Sequence, residues 1–527
     1  MVRFVLSLCL AGLVTKASSQ GSIDVIHYSF SIEVSDSSDR VKGHAVITAQ
    51  LPENSTSFYL QLRSRNETGR GMIVQAVQLE GKPIAFTHAR DSILITLPFP
   101  SKINDTLHFS VDYEGVPEDG LIIARNKFGD RTFFADNWPD RAHHWIPCID
   151  RPIDKASFEF IVTAPAKYSV VSNGTRVQQT DLPGNRKMTH WVESIPLSTK
   201  IMVIGIARFA IKTFPDSPAG TPVSAWSYPQ DSSRTFQNFS ASTSILRFLS
   251  NYIGPYPYEK LANVQSKTIF GGMENASAIF YDENLSAATE SIEGLLSHEI
   301  VHQWFGDMAS EKSFAHLWLS EGFATYLTHV YMESKYGAAR MKQEMSEDRI
   351  SVIEFSKTSP QPVVDSISPF RRLLNPNSYQ KGGWVLHMLR RQLGDTVFHR
   401  IIRRYYATFA GRNADTRDFQ VVCEQESGKK LDVFFRQWLY TRGQPRLSVQ
   451  WTYDEKKRKI QLNISQLQPS VFEFPLDIEI RFRTGRSRVE TVQVTGMNQT
   501  LSIPSNQRPL KIVLDPRVSL LFEEEAR

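Results

Sequence analysis

The sequence predicts a multidomain α+β protein, with an N-terminal all-β domain, a mostly helical central domain and a small C-terminal β-sandwich. Three observations predict it. Residues 20–211 alternate apolar and polar side chains in short runs parted by Gly, Asn, Asp and Pro, the pattern of strands with one covered face. Over 212–442 the apolar spacing lengthens to the three-to-four-residue period of helices. After Gly443-Gln444-Pro445 the two-residue period returns and holds over 443–527.

Taken in order, residues 1–19 read as a signal peptide. Met1-Val2-Arg3 is a short basic start, Phe4–Val14 an apolar run of eleven residues, and Ala17-Ser18-Ser19 a small-residue cleavage site. Eleven residues are too few to cross a bilayer, and no later stretch reaches membrane length, so the expectation is export to the periplasm or the extracellular space without a stable membrane span. The strands of the first domain are IHYSFSIEVS, KGHAVITAQL, SFYLQL, ILITLPF, TLHFSVDYEG, SFEFIVTA and HWVESIP. The Pro- and Gly-rich stretch Lys212–Gly220 marks a boundary.

Beyond it, FQNFSASTSILRFLSNYIG reads as one helix ending at Gly254, followed by the turn Pro255-Tyr256-Pro257-Tyr258 and a short strand in ANVQSKTIF. A helix then covers SIEGLLSHEIVHQWF, with Leu295, Leu296, Ile300, Val301 and Trp304 as its apolar stripe. After a loop at Gly306–Ser313, LWLSEGFATYLTHVYMESKYG forms a second helix stopped by Gly337. Helical segments continue through FFRQWLYTRG. The closing sandwich is built from LSVQWTY, KIQLNIS, FPLDIEIRFR, ETVQVTG, QTLSIP and LKIVLDP, with Asp454–Lys459 as a solvated hairpin turn.

At 527 residues and 41% hydrophobic content the chain has ample material for several cores. A net charge of +5 with no aromatic-interleaved basic stripe argues against nucleic acid as a partner. No Gly-x-Ser-x-Gly elbow or phosphate-cradling loop supports serine hydrolase or nucleotide chemistry. Cys9 leaves with the leader. Cys148 and Cys423 are expected as two buried thiols, a disulfide being the alternative in an oxidising compartment. Glycosylation sequons occur at Asn54, Asn66, Asn104, Asn173 and Asn238, among others.

The chemistry concentrates in residues 291–326. His298 and His302 stand four apart and project from one helix face, where two imidazoles can grip one Zn²⁺. Glu321, nineteen positions beyond His302 near the start of the next helix, can supply the third ligand. Three protein ligands leave a position open, the arrangement of catalytic rather than structural zinc. Glu299 lies beside the metal without being needed as a ligand and is the natural general base.

With these residues, the preceding Gly271-Gly272-Met273-Glu274-Asn275 makes the chain resemble the aminopeptidase N family of zinc metallopeptidases (gluzincins), which includes the leukotriene-epoxide hydrolases. The similarity extends to Ser320-Glu321-Gly322-Phe323-Ala324, Tyr379-Gln380-Lys381-Gly382, Gly254–Leu261 and Pro147–Pro152. It implies a thermolysin-like catalytic domain behind the β domain, one Zn²⁺ per chain, and peptides with a free N-terminus as substrates. Tyr379 is then the donor to the oxyanion that develops in hydrolysis. Glu274 is the carboxylate that pairs with the substrate's α-ammonium, with Gly271 and Gly272 giving the substrate backbone room to lie alongside as an added strand.

The chain also departs from the family pattern. Ser320 stands where Asn is usual. The N-terminal-domain positions that usually carry Gln and Glu or Gln fall on Asp136 and Trp138. Asp136 is expected to replace part of the amine anchor, and Trp138, which accepts no hydrogen bond, to shape the first side-chain pocket. Many relatives carry a large helical C-terminal domain over the cleft, and without one a more open site is expected. His143 and His144 are candidates for the cleft lining, while His316, His329 and His387 read as structural. The leading reading is an exported zinc aminopeptidase. A broader endopeptidase and an inactive binding protein on the same scaffold are the alternatives.

Overall fold

A computed structural model describes residues 23–525 apart from 104 and 360, so the leader reading for 1–19 and the Asn104 sequon lie outside the described residues. Alternation builds the first domain. In the strand Asp24–Glu33, Tyr28, Phe30 and Ile32 point inward and pair in parallel with Phe158, Phe160 and Val162 of Lys155–Pro165. These two strands lie side by side inside an eight-stranded sheet. A four-stranded sheet holds Leu121–Arg125, Arg131–Ala135, Ser169–Ser172 and Ile204–Ala207, and the strand Arg131–Ala135 delivers the chain to Asp136–Trp138.

The central domain opens with a five-stranded sheet made of Ala210–Phe214, Val223–Ser227, Leu261–Ser266, Ala278–Asp282 and, at its edge, the two-residue strand Gly272–Met273. Around it run α1 (Ser232–Phe239), α2 (Ser242–Tyr252), α3 (Glu293–His302), α4 (Trp318–Tyr336), α5 (Ala338–Thr358), α6 (Gly382–Leu393), α7 (Asp395–Phe409) and α8 (Thr416–Ser427). The single helix expected over Phe236–Gly254 is two, broken at Ser240-Ala241. There Ser240 Oγ donates to the Gln237 carbonyl at 2.7 Å and Ser244 Oγ to that of Ala241 at 2.9 Å, hydroxyl contacts that compete with the helix ladder. Gly337 ends α4 at φ +88°, as its sequence position predicts.

The C-terminal strands form a four-stranded and a three-stranded sheet, and the charged run Asp454–Lys459 turns the hairpin between Arg446–Asp454 and Lys459–Gln466. One apolar core runs through the helices into this sandwich, and a second fills the N-terminal domain and reaches under the five-stranded sheet at Val264 and Phe280. Cys148 and Cys423 are both buried free thiols. Asn173 is fully buried, donating to the carbonyls of Ile201 and Ala276 at 2.9 and 2.6 Å, so this sequon is closed to modification in the folded protein. Among the described residues no helix is long and apolar enough to cross a membrane.

Candidate metal centre and substrate cleft

Two antiparallel helices place the centre. Glu293, in the first turn of α3, binds Tyr331 Oη at 2.5 Å, Tyr336 Oη at 2.6 Å and the Lys335 ammonium, all in the last turns of α4. That tie fixes the helices in register, so the start of α4 faces the end of α3. His298 Nε2 and His302 Nε2 are 3.1 Å apart, and each lies 3.3 Å from Glu321 Oε2. A tetrahedral ion bound at 2.0–2.1 Å spaces its ligands by about 3.3 Å, so the three atoms already stand at the corners such an ion requires.

The supports of this triangle are specific. His302 Nδ1 donates to the Phe305 carbonyl at 3.1 Å, which leaves the Nε2 lone pair facing the other two ligands. Ser320 Oγ, in place of the usual Asn, lies 3.0 Å from the same Nδ1. The room for it comes from Gly306, at φ +123°, where a Cβ would stand 2.4 Å from Ser320 Oγ. Burial opposes charge on His302, but the Glu321 and Glu274 carboxylates outweigh it and raise its pKa to about 10. Negative potential of this kind is what a dication answers.

Glu299 is buried on the same helix and presses against the edge strand, since a Cβ on Gly272 would lie 2.3 Å from its Oε1. Burial raises its pKa, helped by Glu274 and Glu321 and opposed by His302. Tyr379 sits in the helical turn Asn377–Lys381 that leads into α6, its ring stacked on His298 at 5.8 Å. A glycine contact brings it there: a Cβ on Gly322 of α4 would be 2.9 Å from Gly382 Cα, so α4 and α6 meet backbone to backbone. Burial, with Glu321, Glu274 and Glu299 nearby, raises the pKa of the Tyr379 hydroxyl and keeps its proton available for donation.

Glu274 completes the cleft. Its carboxylate is buried, accepts a hydrogen bond from its own backbone amide, and has an oxygen within 4.8 Å of ligand atoms of Glu299 and His302. Its backbone is pinned by Gln303, whose Nε2 donates to the Glu274 carbonyl at 2.7 Å and to Asp307 Oδ2 at 3.0 Å. Gln303 Oε1 in turn accepts from Ser277 N at 2.8 Å and Tyr256 Oη at 3.1 Å. The sequence reading did not single out Gln303. Its signal is a lone amide, one residue past His302, in an otherwise apolar turn.

The cleft has a volume of about 440 Å³, and Gly271, Gly272, Glu274, Glu299, Tyr379 and Trp138 all line it with the metal ligands. Asp136 does not, which corrects the expectation that it shares the amine anchor. It is fully buried, and both its oxygens are taken: Oδ1 by Arg141 Nη2 at 2.6 Å, Oδ2 by Thr268 Oγ1 at 3.1 Å and Ile269 N at 3.0 Å. Its effect is to hold the segment leading to Phe270 and Gly271. His143 likewise turns away from the cleft, toward Asp150 at 2.9 Å, and His144 is absent from the lining. His316, His329 and His387 bond to Thr416, Asp348 and the Val518 carbonyl, in keeping with structural roles.

A helix-borne His-Glu-x-x-His and a glutamate on the next helix, beside a sheet with a free edge strand, define a thermolysin-like zinc metallopeptidase. Two family models match in tandem, the Peptidase M1 N-terminal domain over residues 25–201 and the Peptidase family M1 domain over residues 238–438. The chain belongs to this M1 family of aminopeptidase N-like zinc metallopeptidases, and Zn²⁺ is the ion its three ligands suit. It is 26% identical over 473 residues to a probable aminopeptidase 2 of Sulfurisphaera tokodaii, covering 84% of this chain and 58% of that protein. It is 23% identical over 525 residues to the glutamyl aminopeptidase of Rattus norvegicus, covering 92% and 54%. The chain thus spans a little over half the length of these curated relatives. Among solved structures, an M1 zinc metallopeptidase from Deinococcus radiodurans aligns with a TM-score of 0.70 at 26% identity, over 81% of this chain and 95% of that one. Legionella pneumophila aminopeptidase A shares the fold, with a TM-score of 0.82 at 15% identity over 97% and 60%.

Proposed function

We propose that the protein is an exported zinc-dependent aminopeptidase that hydrolyses the first peptide bond of peptides with a free N-terminus. The observation that carries this reading is the meeting of Glu274, a buried carboxylate with no cationic side chain paired to it among the described residues, with the triangle His298, His302 and Glu321 in one cleft. An α-ammonium, with a pKa near 8, is mostly charged at neutral pH and suits such a carboxylate. Pairing there sets the first peptide bond, and no later one, beside the metal ligands.

Bound Zn²⁺ supplies Lewis acidity, polarising the scissile carbonyl and lowering the pKa of water to about 7. Glu299 takes the proton of the attacking water and returns it to the departing amine. Tyr379 donates its hydroxyl to the oxyanion. The free edge of Gly272–Met273 offers backbone groups to an extended substrate, as an added strand would use them. Export is supported by the basic, apolar and small-residue order of residues 1–19.

Aminoacyl-coumarylamides with free and acetylated amines test the reading. Free amines are expected to be turned over and acetylated ones spared, with activity lost in chelator and restored by Zn²⁺. Equal turnover of both classes, or internal cuts in casein, would replace the aminopeptidase with the broader endopeptidase.

A further inference from the structure

We propose that the cleft takes a large apolar or aromatic side chain at the substrate's first residue and rejects an acidic one, with Trp138 setting the preference. The proposal rests on the aminopeptidase reading and names its substrate class.

Once the metal ligands, Glu299, Glu274 and Tyr379 have their roles, the side chains left in the lining are Trp138, Phe270, Met273, Leu295 and Leu374. All are apolar or aromatic, and among the described residues no lysine or arginine lines the cleft. Cations on the surrounding segments are paired elsewhere or exposed to solvent. Arg141 is held by Asp136 at 2.6 Å, by Asp119 at 2.8 Å and by the Trp138 carbonyl at 2.8 Å. Lys200 pairs with Glu311 at 2.6 Å, and Lys381 Nζ donates to the Gly443 carbonyl at 2.6 Å. Arg371 is 73% exposed and leans toward Asp119 at 3.8 Å, and its neighbour Arg372 is also exposed. An acidic side chain would therefore lose its water beside three buried carboxylates with no counter-charge to meet it. A basic one would find mainly aromatic faces, since Glu321 holds the metal, Glu274 the substrate's ammonium and Glu299 the proton of the attacking water.

The wall is also fixed in advance. The Trp138 ring packs against Phe270 at 5.8 Å and Phe314 at 5.6 Å, both at steep angles, and Phe270 is placed by the Asp136 bonds to Thr268 and Ile269. The cleft's 440 Å³ has room for an aromatic side chain with its backbone. This sets the chain apart from relatives whose names specify a glutamyl substrate.

The test is a panel of Leu, Met, Phe, Lys, Asp and Glu coumarylamides on the zinc-loaded protein, with calorimetric binding of L-phenylalanine and L-glutamate as a readout independent of turnover. Leu, Met and Phe are expected to exceed Asp and Glu in kcat/KM on the order of a hundredfold, with Lys between them. L-phenylalanine is expected to bind more tightly than L-glutamate. Trp138→Ala should compress the preference for Phe over smaller residues, and Trp138→Phe should shift it if the alanine variant does not fold. Leu374→Arg, at a half-buried position outside the metal set, should raise Glu relative to Leu with zinc content unchanged. Acidic or basic substrates matching the apolar ones would overturn the proposal and leave the aminopeptidase reading intact, as would folded, zinc-loaded Trp138 variants with an unaltered profile. A zinc-loaded protein inactive on the whole panel would overturn both.

Discussion

Gly272→Ala tests the cleft's geometry at its tightest point. A Cβ at 272 would lie 2.3 Å from Glu299 Oε1 and 2.5 Å from its Cδ, well inside the 3.0 Å that real Cβ contacts respect. Gly272 is not among the glycines with positive φ, so alanine brings no backbone strain and the effect is steric alone. Relief requires the Glu299 carboxylate to retreat by roughly 1 Å, a displacement that costs about a hundredfold in rate when it misplaces a reacting group. The edge strand is paired through Met273 to Phe280, and Glu299 rides on a helix packed on its buried face, so the carboxylate is the part that yields. Gly271→Ala is the control, because its Cβ would meet only Leu285 Cδ1 at 3.3 Å, the end of a half-exposed and flexible side chain. The assay is kcat/KM on a leucyl-coumarylamide, with zinc content and Tm measured on the same samples. Full activity in Gly272→Ala would refute the placement of Glu299 against the strand. Activity lost together with zinc would move the fault to the ligand triangle.

Three further substitutions probe other contacts. Tyr379→Phe is expected to lower kcat by about 10²–10³ with little change in KM, as loss of one oxyanion donor does; an unchanged kcat would remove the tyrosine from the reaction. Gln303→Met keeps volume but frees the Glu274 carbonyl and the Ser277 amide, so KM for free-amine substrates should rise about tenfold and discrimination against acetylated ones should fall, with zinc retained. A uniform loss across both substrate classes would mean Gln303 serves stability only. His387 is buried, which drives its pKa from 6.5 down to about 3, and its Nε2 donates to the Val518 carbonyl while Nδ1 accepts from Tyr326. The unfolded chain therefore binds a proton that the folded one refuses. The stability present above pH 6.5 is lost as pH falls toward 3, by up to about 1.4 kcal/mol per pH unit. His387→Gln preserves both hydrogen bonds without titrating, so its Tm should fall less steeply from pH 7 to about 4.5; parallel profiles would count against the mechanism.

The metal triangle was legible because local periodicity fixes most of it. A four-residue spacing puts His298 and His302 on one face whatever surrounds the helix, and Gly337 marks where the second helix must stop. Asp136 was not legible in the same way. The chain position that brings it near the cleft says nothing of which way the carboxylate turns, and two of its partners, Thr268 and Ile269, come from a segment more than a hundred residues later. The break between α1 and α2 was missed because helical periodicity survives a turn in which two serines bond back to nearby carbonyls. Gln303 escaped notice because its worth lies in four partners, three of them from distant segments that its neighbours do not announce.

The cleft belongs to neither domain alone, and the polar bonds at the seam explain how its two walls keep their distance. Lys200, from the β domain, is buried against Glu311 of the catalytic domain. Lys155 Nζ reaches across to the Met308 carbonyl at 2.9 Å, Asn173 to that of Ala276 at 2.6 Å, and Asp136 to the Ile269 amide. Removing one member of a buried charged pair such as Lys200–Glu311 leaves an uncompensated charge and is strongly destabilising. Asn173 bonds two residues past Glu274, and Asp136 two residues before Gly271. The same seam therefore holds both ends of the segment that carries Glu274 and the edge strand. Trp138 hangs from the same lattice through the Arg141 bond to its carbonyl. The β domain thus supplies part of the cleft: through Trp138 it sets how far the apolar wall stands from Glu274.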